Sequence, residues 1–281
     1  MTVTVIGVGL IGGSMALAMK EKNFVQKIIG VDNNELHQRR ALELKLIDEV
    51  LDLEEAIQAS QLIIIATPVD AAEKLLPTVL NAVTDQFVMD VGSIKERIIN
   101  VANKHQKRKQ FVATHPMWGT EHSGPEAAVR DAFTGKAVVI CNKNESDAGA
   151  VKFIIDLYKI LGMHVLFMNA AEHDLHAAYV SHVSHITSFA LANTVLEKER
   201  EEDAIFELAS AGFESTVRLA KSNPTMWVPI FMQNRANVLD VLNEHITQLR
   251  KFKSCLEKEN YDYLRELIEH ANGIKRILNS Q

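Results

Sequence analysis

The chain has 281 residues, of which 47% are hydrophobic and 23% are charged, a composition typical of folded globular proteins and not of disordered ones. Its 30 Lys and Arg residues against 36 Asp and Glu residues give a net charge of −6, which argues against a general binder of nucleic acid or anionic membranes. The two cysteines, Cys141 and Cys255, exclude a disulfide framework and favour a reducing compartment. There is neither an apolar run of membrane-spanning length nor a basic signal segment, so we expect a cytoplasmic protein.

The first half of the chain alternates strand-like and helix-like segments. The segments between the predicted strands have helical spacing, which indicates βαβ units and a parallel sheet with helices on both faces. We therefore predict an α/β domain of the Rossmann type, a doubly wound sheet, over residues 1–168. Apolar and β-branched runs place its strands at Val3–Ile6, Lys27–Val31, Leu62–Ala66, Phe87–Val91, Phe111–Ala113 and Ala137–Ile140.

The second half contains only helical patterns, at roughly 170–198, 203–221, 225–258 and 260–278. We therefore expect an all-α domain over residues 169–281 that contributes to substrate binding and to a homodimer. Apolar residues recur every three to four positions in the third of these helices, which indicates a core or dimer seam. These residues are Val238, Val241, Leu242, Leu249, Phe252 and Leu256.

A glycine-rich loop, Gly7-Val8-Gly9-Leu10-Ile11-Gly12, joins the first strand to the first helix. In this G-x-G-x-x-G pattern the glycines allow a tight turn, close approach to a pyrophosphate and close helix–strand packing. Asp32 follows Gly12 by 20 residues, where a carboxylate can accept hydrogen bonds from the adenine ribose and repel a 2′-phosphate. We therefore predict NAD as the cofactor. Arg39 and Arg40 keep NADP open, and a turn without ligand is the alternative.

Two other loops follow predicted strands at the edge of the sheet where such folds bind ligands. Thr67 and Pro68 follow Leu62–Ala66, and we expect them to contact the cofactor. Ser93 follows Phe87–Val91 and is predicted either to bind substrate or nicotinamide, or to cap the next helix.

Histidines and one arginine are the remaining candidates for chemistry. His115 follows the strand Phe111–Ala113 on a loop bounded by Pro and Gly, where one ring nitrogen can accept a hydroxyl proton while a neighbour orients the other. A structural histidine is the alternative. Arg218 could bind a carboxylate bidentately or could be a solvated helix residue.

The eleven histidines do not predict a metal site. At about 100° per residue, His173 and His176 point away from His182 and His185, and no Cys, Asp or Glu at fixed spacing completes a ligand set. We expect no bound metal.

Five stretches in this order resemble the prephenate/arogenate dehydrogenases of tyrosine biosynthesis across nearly the whole chain. They are GVGLIGGS (Gly7 to Ser14), DVGSIK (Asp90 to Lys95), THPMWG (Thr114 to Gly119), SHVSH (Ser181 to His185) and RLAKSNPTMW (Arg218 to Trp227). The first is shared by many dehydrogenases, whereas the combination is specific to this family.

The resemblance implies an active site between a dinucleotide-binding domain and a helical, dimer-forming domain. It implies NAD-dependent oxidative decarboxylation of prephenate to 4-hydroxyphenylpyruvate, or of arogenate to tyrosine. By motif position, His115 would take the ring hydroxyl proton, Ser93 would orient that hydroxyl, and Trp227 would line the pocket. Arg218 and His185 would hold a substrate carboxylate, and His185 favours prephenate.

The chain departs from the family pattern at Trp118, Ser184, Ala211 and Ser215, which affects expectations for substrate choice and tyrosine inhibition. We expect no separate regulatory domain, so feedback would act at the active site. The competing interpretations are a β-hydroxyacid dehydrogenase or imine reductase of the same fold, and a protein that binds NAD without turnover.

Overall fold

The computed structural model describes residues 1–199 and 206–278. An eight-stranded sheet forms the centre of the first half, in the order β3-β2-β1-β4-β5-β6-β7-β8. Its strands are β1 (Thr2–Ile6), β2 (Lys27–Val31), β3 (Glu49–Val50), β4 (Leu62–Ile65), β5 (Phe87–Asp90), β6 (Phe111–Pro116), β7 (Ala137–Cys141) and β8 (His164–Met168). Chain order reverses between β1 and β4, and a ligand crevice is expected there at the carboxyl ends of the strands.

Helices cover both faces of this sheet and bury one apolar cluster on each side. They are α1 (Leu10–Glu21), α2 (Glu35–Glu43), α3 (Leu53–Gln58), α4 (Val69–Ala82), α5 (Glu96–Ala102) and α6 (Ala148–Ile160). All four residues of β4 are fully buried because neighbouring strands flank it and helices cover it. The predicted Rossmann-type fold is confirmed.

The second half is helical wherever the structure describes it. It contains α7 (Ala170–Ala177), α8 (Val183–Glu199), α9 (Ala211–Val217), α10 (Pro224–Gln233), α11 (Arg235–Glu257), α12 (Tyr261–Ala271) and α13 (Ile274–Leu278). A π-helical turn, Ala178–His182, joins α7 to α8. Asn169 caps α7 through the Glu172 amide, and the proposed division into 1–168 and 169–281 falls between β8 and this cap.

Several predicted elements differ from the structure. The helix predicted over 225–258 is interrupted at Asn234, which separates α10 from α11. The helix predicted over 260–278 is interrupted at Gly273. The segment 203–221 is broken into short helical turns, and its residues 203–205 lie outside the described ranges. Helical periodicity continues across each break, so it did not reveal them.

The sheet also differs from an all-parallel prediction. The pair β6–β7 is antiparallel because the connection between these strands contains only the short turn Pro125–Ala127 and folds straight back. Two strands were not predicted from the sequence: β3, which has only two residues, and β8, an edge strand whose apolar run Val165–Met168 is largely exposed. Among the described residues, no helix is long and apolar enough to span a membrane.

Candidate active site

The glycine-rich loop has room for a ligand at the position where a dinucleotide phosphate is expected. Gly7 has φ +92°, and a Cβ there would lie 2.7 Å from the Ala66 carbonyl oxygen. A Cβ on Gly12 would lie 2.0 Å from the Gly7 carbonyl oxygen, so this glycine permits close packing of α1 on the turn. A Cβ on Gly9 would meet no protein atom within 4 Å. The space beside Gly9 and the first amides of α1, at Leu10 and Ile11, therefore fit an anionic group.

The crevice carries two further features that suit a dinucleotide. Asp32 lies at the end of β2 with its side chain 9% exposed, and its Oδ2 accepts a hydrogen bond from the Val8 amide at 3.0 Å. The Asp32 Oδ1 accepts from the Asn34 amide at 2.9 Å, so the carboxylate is fixed beside the loop. Thr67 lies before α4 with its hydroxyl buried and without a partner among the described residues, and Pro68 forms the N-cap of that helix.

Arg40, one of the two arginines that left NADP as an alternative cofactor, forms ion pairs with two carboxylates in this structure. Its guanidinium contacts Glu126 at 2.7 Å and also bonds to Glu43. This arginine is therefore not free to meet a 2′-phosphate unless both ion pairs rearrange.

His115 lies inside β6, paired with Val139 of β7, and not on a loop after the strand as predicted. The antiparallel β7 extends β6 as far as Pro116 and holds the His115 backbone in the sheet. Because β4, β5 and β6 run parallel, His115 lies at the same end of the sheet as Thr67 and Ser93.

A chain of side chains, buried at His173 and Asp174, connects His115 to the helical half of the molecule. His115 Nδ1 lies 2.8 Å from Nε2 of His173, and His173 Nδ1 lies 2.7 Å from Oδ1 of Asp174. The Asp174 carboxylate also accepts the backbone amides of Lys95 at 2.8 Å and Glu96 at 2.9 Å. Asp174 therefore caps α5, and the alternative that Ser93 caps this helix is wrong.

The electrostatic surroundings of His115 favour its neutral form. Burial lowers the pKa of His115 well below its usual value, and His173, Lys95 and His182 lower it further. Lys95 is fully buried, and its Nζ bonds to Asp90 and, at 2.7 Å, to the Thr114 carbonyl oxygen. A neutral imidazole can accept a proton, as a general base must.

The π-helical turn overturns the prediction that His173 and His182 lie on opposite faces. A π turn closes by i→i+5 bonds and changes the phase of the residues that follow it. Both histidines are buried and lie within electrostatic reach of His115. Asn234 Nδ2 donates to the Asp174 carbonyl oxygen at 2.7 Å and contacts His182 Nδ1 at 3.2 Å. No described residues form a group of three or more metal ligands.

His185 and Trp227 form an aromatic wall. Their rings stack with centroids 3.4 Å apart, and His185 Nδ1 donates to the Ser181 carbonyl oxygen at 3.0 Å. Trp227 packs with Val69, the first residue of α4, and with Ile94 in the loop after β5, so it contacts the crevice side of the sheet. Its indole Nε1 is buried and has no partner among the described residues.

Arg218 is the most exposed of the predicted substrate residues, with 49% of its side chain accessible. Its guanidinium donates to Glu121 Oε2 at 2.7 Å. The pKa of Glu121 is lowered, chiefly by its own backbone amide and also by Arg218. Trp118, one of the departures from the family pattern, packs edge-on against Phe133 at 5.6 Å in the sheet core.

The structure brings four further residues to this site that were not predicted from the sequence: His173, Asp174, Glu121 and Asn234. Asp174 directly follows a histidine, and this was the one available signal. This signal was overlooked because a constant angle of about 100° per residue was assumed across residues 170–198. On that assumption the histidines could not form a cluster.

Comparisons with known proteins agree with this geometry. Residues 15–167 match the family described as prephenate dehydrogenase, nucleotide-binding domain, and residues 169–270 match prephenate dehydrogenase, dimerization domain. The chain is 31% identical over 281 residues to prephenate dehydrogenase of Bacillus subtilis, covering 97% of this chain and 76% of the relative. It is 30% identical over 279 residues to cyclohexadienyl dehydrogenase of Zymomonas mobilis, covering 98% and 95% of the two chains.

Solved structures show the same architecture. Prephenate dehydrogenase from Aquifex aeolicus, in complex with hydroxyphenyl propionate and NAD+, has a TM-score of 0.89 at 29% identity, covering 98% of this chain and 97% of that one. Synechocystis arogenate dehydrogenase has a TM-score of 0.75 at 23% identity, covering 99% and 100%, and shows likeness of fold.

The nucleotide-binding family match and the NAD+ in the Aquifex complex support the prediction of NAD. Both family matches and the 31% identity over nearly the whole chain confirm the resemblance found in the sequence. The chain belongs to the prephenate dehydrogenase family of oxidoreductases.

Proposed function

We propose that this protein catalyses the NAD-dependent oxidative decarboxylation of prephenate to 4-hydroxyphenylpyruvate, a step of tyrosine biosynthesis. The observation that carries the proposal is the position of His115, a base held neutral at the end of the sheet that bears the dinucleotide loop. Relatives named prephenate dehydrogenase, from Bacillus subtilis and Aquifex aeolicus, support this choice of substrate.

NAD would be held by the amides around Gly9 and by Asp32, which would accept hydrogen bonds from the adenine ribose. When bound, NAD supplies the acceptor for a hydride from the ring carbon that carries the substrate hydroxyl. The Thr67 hydroxyl and Pro68 would border it at the end of β4. The Thr67 hydroxyl, which has no partner within residues 1–199 and 206–278, fits such a polar ligand, because buried polar groups are normally hydrogen-bonded.

His115 would hold the substrate hydroxyl proton during the reaction. With Nδ1 committed to His173, Nε2 is the nitrogen that remains for the substrate. Nε2 takes the proton as the hydride leaves, and loss of CO₂ makes the ring aromatic and places the electron pair on the same oxygen. The proton then returns to that oxygen to give the phenol, so the dianion releases one hydride and one CO₂ without net proton release.

The remaining predicted residues would bind and orient the substrate. Ser93 would orient the hydroxyl from the loop after β5. Trp227 would close the pocket and offer its indole N–H, which has no partner in the described part of the chain. Arg218 would hold carboxylate oxygens by exchanging Glu121 for the substrate. His185 was expected to hold a carboxylate as well, but it would need a second ring proton to donate to one, because its Nδ1 already donates to Ser181.

Arogenate is the second candidate, and a specific observation favours it. Burial lowers the pKa of His185, and its Nδ1 donates to Ser181, so the neutral ring presents Nε2 as an acceptor. An acceptor suits the ammonium group of arogenate, whereas prephenate has a ketone there and needs a donor. Oxidation of arogenate would use the same base and cofactor and would yield tyrosine.

We also propose that the protein is a homodimer through its helical domain. The second family match is a dimerization domain, and Leu249 and Leu256 of the predicted seam are 54% and 67% exposed in the single chain. Large apolar side chains exposed in a row favour an interface.

The testing experiment measures NADH formation by the purified protein with prephenate and, separately, with arogenate. NADP replaces NAD in a parallel series, and the products are identified by chromatography. We expect NADH and 4-hydroxyphenylpyruvate from prephenate. Tyrosine from arogenate alone would replace the first substrate with the second, and NAD binding without turnover of either would contradict both.

A further inference from the structure

We infer that His173 and Asp174 are positioning residues, which fix the His115 tautomer and hold the positive charge that His115 gains. The inference rests on the proposed function for the use of this base, but its structural half stands on the hydrogen-bond chain alone. It assigns a role to two residues of α7, which the sequence analysis had left without one.

The contacts of Asp174 determine where the hydrogen of His173 lies. Its Oδ1 and Oδ2 face the backbone amides of Lys95 and Glu96, which can only donate. Asp174 is therefore an acceptor, and the third group in contact with it, His173 Nδ1, must carry a hydrogen. A neutral His173 with hydrogen on Nδ1 has its lone pair on Nε2.

The lone pair on His173 Nε2 in turn determines which nitrogen of His115 carries a hydrogen. His173 Nε2 lies 2.8 Å from His115 Nδ1, and an acceptor at Nε2 requires the hydrogen on His115 Nδ1. The lone pair of His115 is thereby placed on Nε2, the nitrogen left for the substrate. The Asp174 carboxylate, two hydrogen bonds away from His115, thus selects the reactive tautomer, as the orienting carboxylate does in other histidine-based sites.

The same hydrogen bonds also determine where a positive charge can lie. A proton on His115 is opposed by burial and then by His173, Lys95 and His182. If His115 Nε2 takes a proton, its Nδ1 proton can pass to His173 Nε2, and the cation then lies 2.7 Å from the Asp174 carboxylate. No atom is gained or lost, because one N–H bond forms at Nε2 and one moves along the chain. The titratable or charged groups facing this pair are Asp90, Lys95, Asp174 and His182.

The structural half can be tested without any substrate. Protein labelled with ¹⁵N-histidine is studied by NMR near neutral pH, and the His115 signals are assigned with His115→Asn. We expect a protonated Nδ1 and an unprotonated Nε2 at His115. In Asp174→Asn, an amide N–H can face His173 Nδ1, so we expect the tautomer populations of both histidines to shift. A wild-type His115 with its proton on Nε2 would overturn the inference.

The catalytic half uses three variants at matched positions. His173→Gln retains an acceptor for His115 but takes up no proton, whereas His173→Leu removes both functions. We expect kcat to fall roughly 10²–10⁴-fold in His173→Leu, the range that positioned acid–base groups contribute, and less in His173→Gln. His176→Gln, on the exposed face of the same helix, is the control and should behave as wild type.

Two further readouts separate positioning from a merely structural role. NAD affinity should be unchanged in His173→Gln, and the acid limb of its kcat/KM profile should move, because the proton no longer spreads over two rings. Wild-type kcat and an unmoved limb in both His173 variants would overturn the inference. An inactive wild-type protein with the expected ¹⁵N pattern would instead contradict the proposed function alone.

Discussion

Three histidines near the crevice, His115, His182 and His185, each have one ring nitrogen committed to a protein neighbour, whereas His173 has both committed. His115 uses Nδ1 for His173, His182 uses Nδ1 for Asn234, and His185 uses Nδ1 for the Ser181 carbonyl. The second nitrogen of each ring is therefore the one available to a ligand. Burial also lowers the pKa of all three, to about 4 for His182, so their neutral forms predominate near neutral pH.

Replacing the base should remove turnover but retain cofactor binding. We expect His115→Asn to lower kcat roughly 10²–10⁴-fold, because Asn has no ring nitrogen to take the proton. NAD affinity, measured by calorimetry, should stay within about twofold, since the glycine-rich loop lies on β1 and α1. Wild-type turnover would remove His115 from its proposed role.

The pH dependence has a definite sign. His115 must be neutral to accept a proton, and its pKa is lowered by burial and then by His173, Lys95 and His182. Activity should therefore persist below the ordinary histidine pKa of about 6.5 and fall only when the pH drops through the lowered value. The kcat/KM profile measures this limb, and an acid limb at or above about 6.5 would contradict the assignment.

Cofactor choice should depend on the Asp32 charge. Asp32→Asn removes the repulsion of a 2′-phosphate, so we expect the ratio of kcat/KM for NAD over NADP to fall at least about tenfold, which corresponds to about 1.4 kcal/mol. Asp48→Asn is the control for charge. Asp48 lies away from the glycine-rich loop, and its exposed carboxylate contacts Lys20 Nζ at 2.7 Å. An unchanged ratio would show that Asp32 does not select the cofactor.

Arg218 should act in substrate binding. Arg218→Ala is expected to raise KM at least about tenfold with little change in kcat, because a charge-assisted bond to the carboxylate is lost. Arg130→Ala is a matched control, since Arg130 forms a similar exposed ion pair with Glu21. If KM is equal in the two variants, Arg218 is only a surface residue.

At the scale of elements, buried polar groups connect the helices to the sheet. Asp174 of α7 caps α5, and Asn234, between α10 and α11, bonds back to the Asp174 carbonyl and to His182. These contacts orient α7, so that the chain from Asp174 to His115 can form.

Removing the Asn234 side chain should show how much these hydrogen bonds contribute to the free energy of unfolding. Asn234→Ala leaves the Asp174 carbonyl and His182 Nδ1 without a donor, which costs about 1–3 kcal/mol. The melting temperature should fall by about 2–4 °C for each kcal/mol. Asn243→Ala, exposed on α11, should stay within about 0.5 kcal/mol. Equal melting temperatures would contradict this account.

The sequence predicted elements well where one local pattern determines each of them. Six of the eight strands, the turn at Gly7 and the change to helices after β8 could all be predicted, because buried runs and glycines act over a few residues. The antiparallel β7, the π turn at Ala178–His182 and the break at Asn234 depend on distant contacts that periodicity does not report. For the same reason His115 could be selected from its sequence context, whereas His173 and Asp174 could not.

At the scale of the whole molecule, the helical half leaves apolar side chains exposed that a second copy would cover. Leu249→Glu combined with Leu256→Glu should weaken the dimer at least about tenfold, because burying one leucine is worth about 1.5–3 kcal/mol and a twofold axis counts each side chain twice. Sedimentation equilibrium measures this change. Leu42→Glu on α2 is the control, and an unweakened dimer would place the interface elsewhere.

The cap that Asp174 places on α5 has a consequence for recombination between relatives. The proposed base, His115, lies in the first half of the chain, while the groups proposed to set its tautomer, His173 and Asp174, lie just after residue 169. A chimera joined at that boundary would therefore exchange half of the proposed catalytic unit, even when the residues that would touch substrate are all retained. The two parents must form the same contact between the α7 histidine and β6. Crossovers that keep residues 111–182 from one parent should therefore yield active hybrids far more often than crossovers at residue 169.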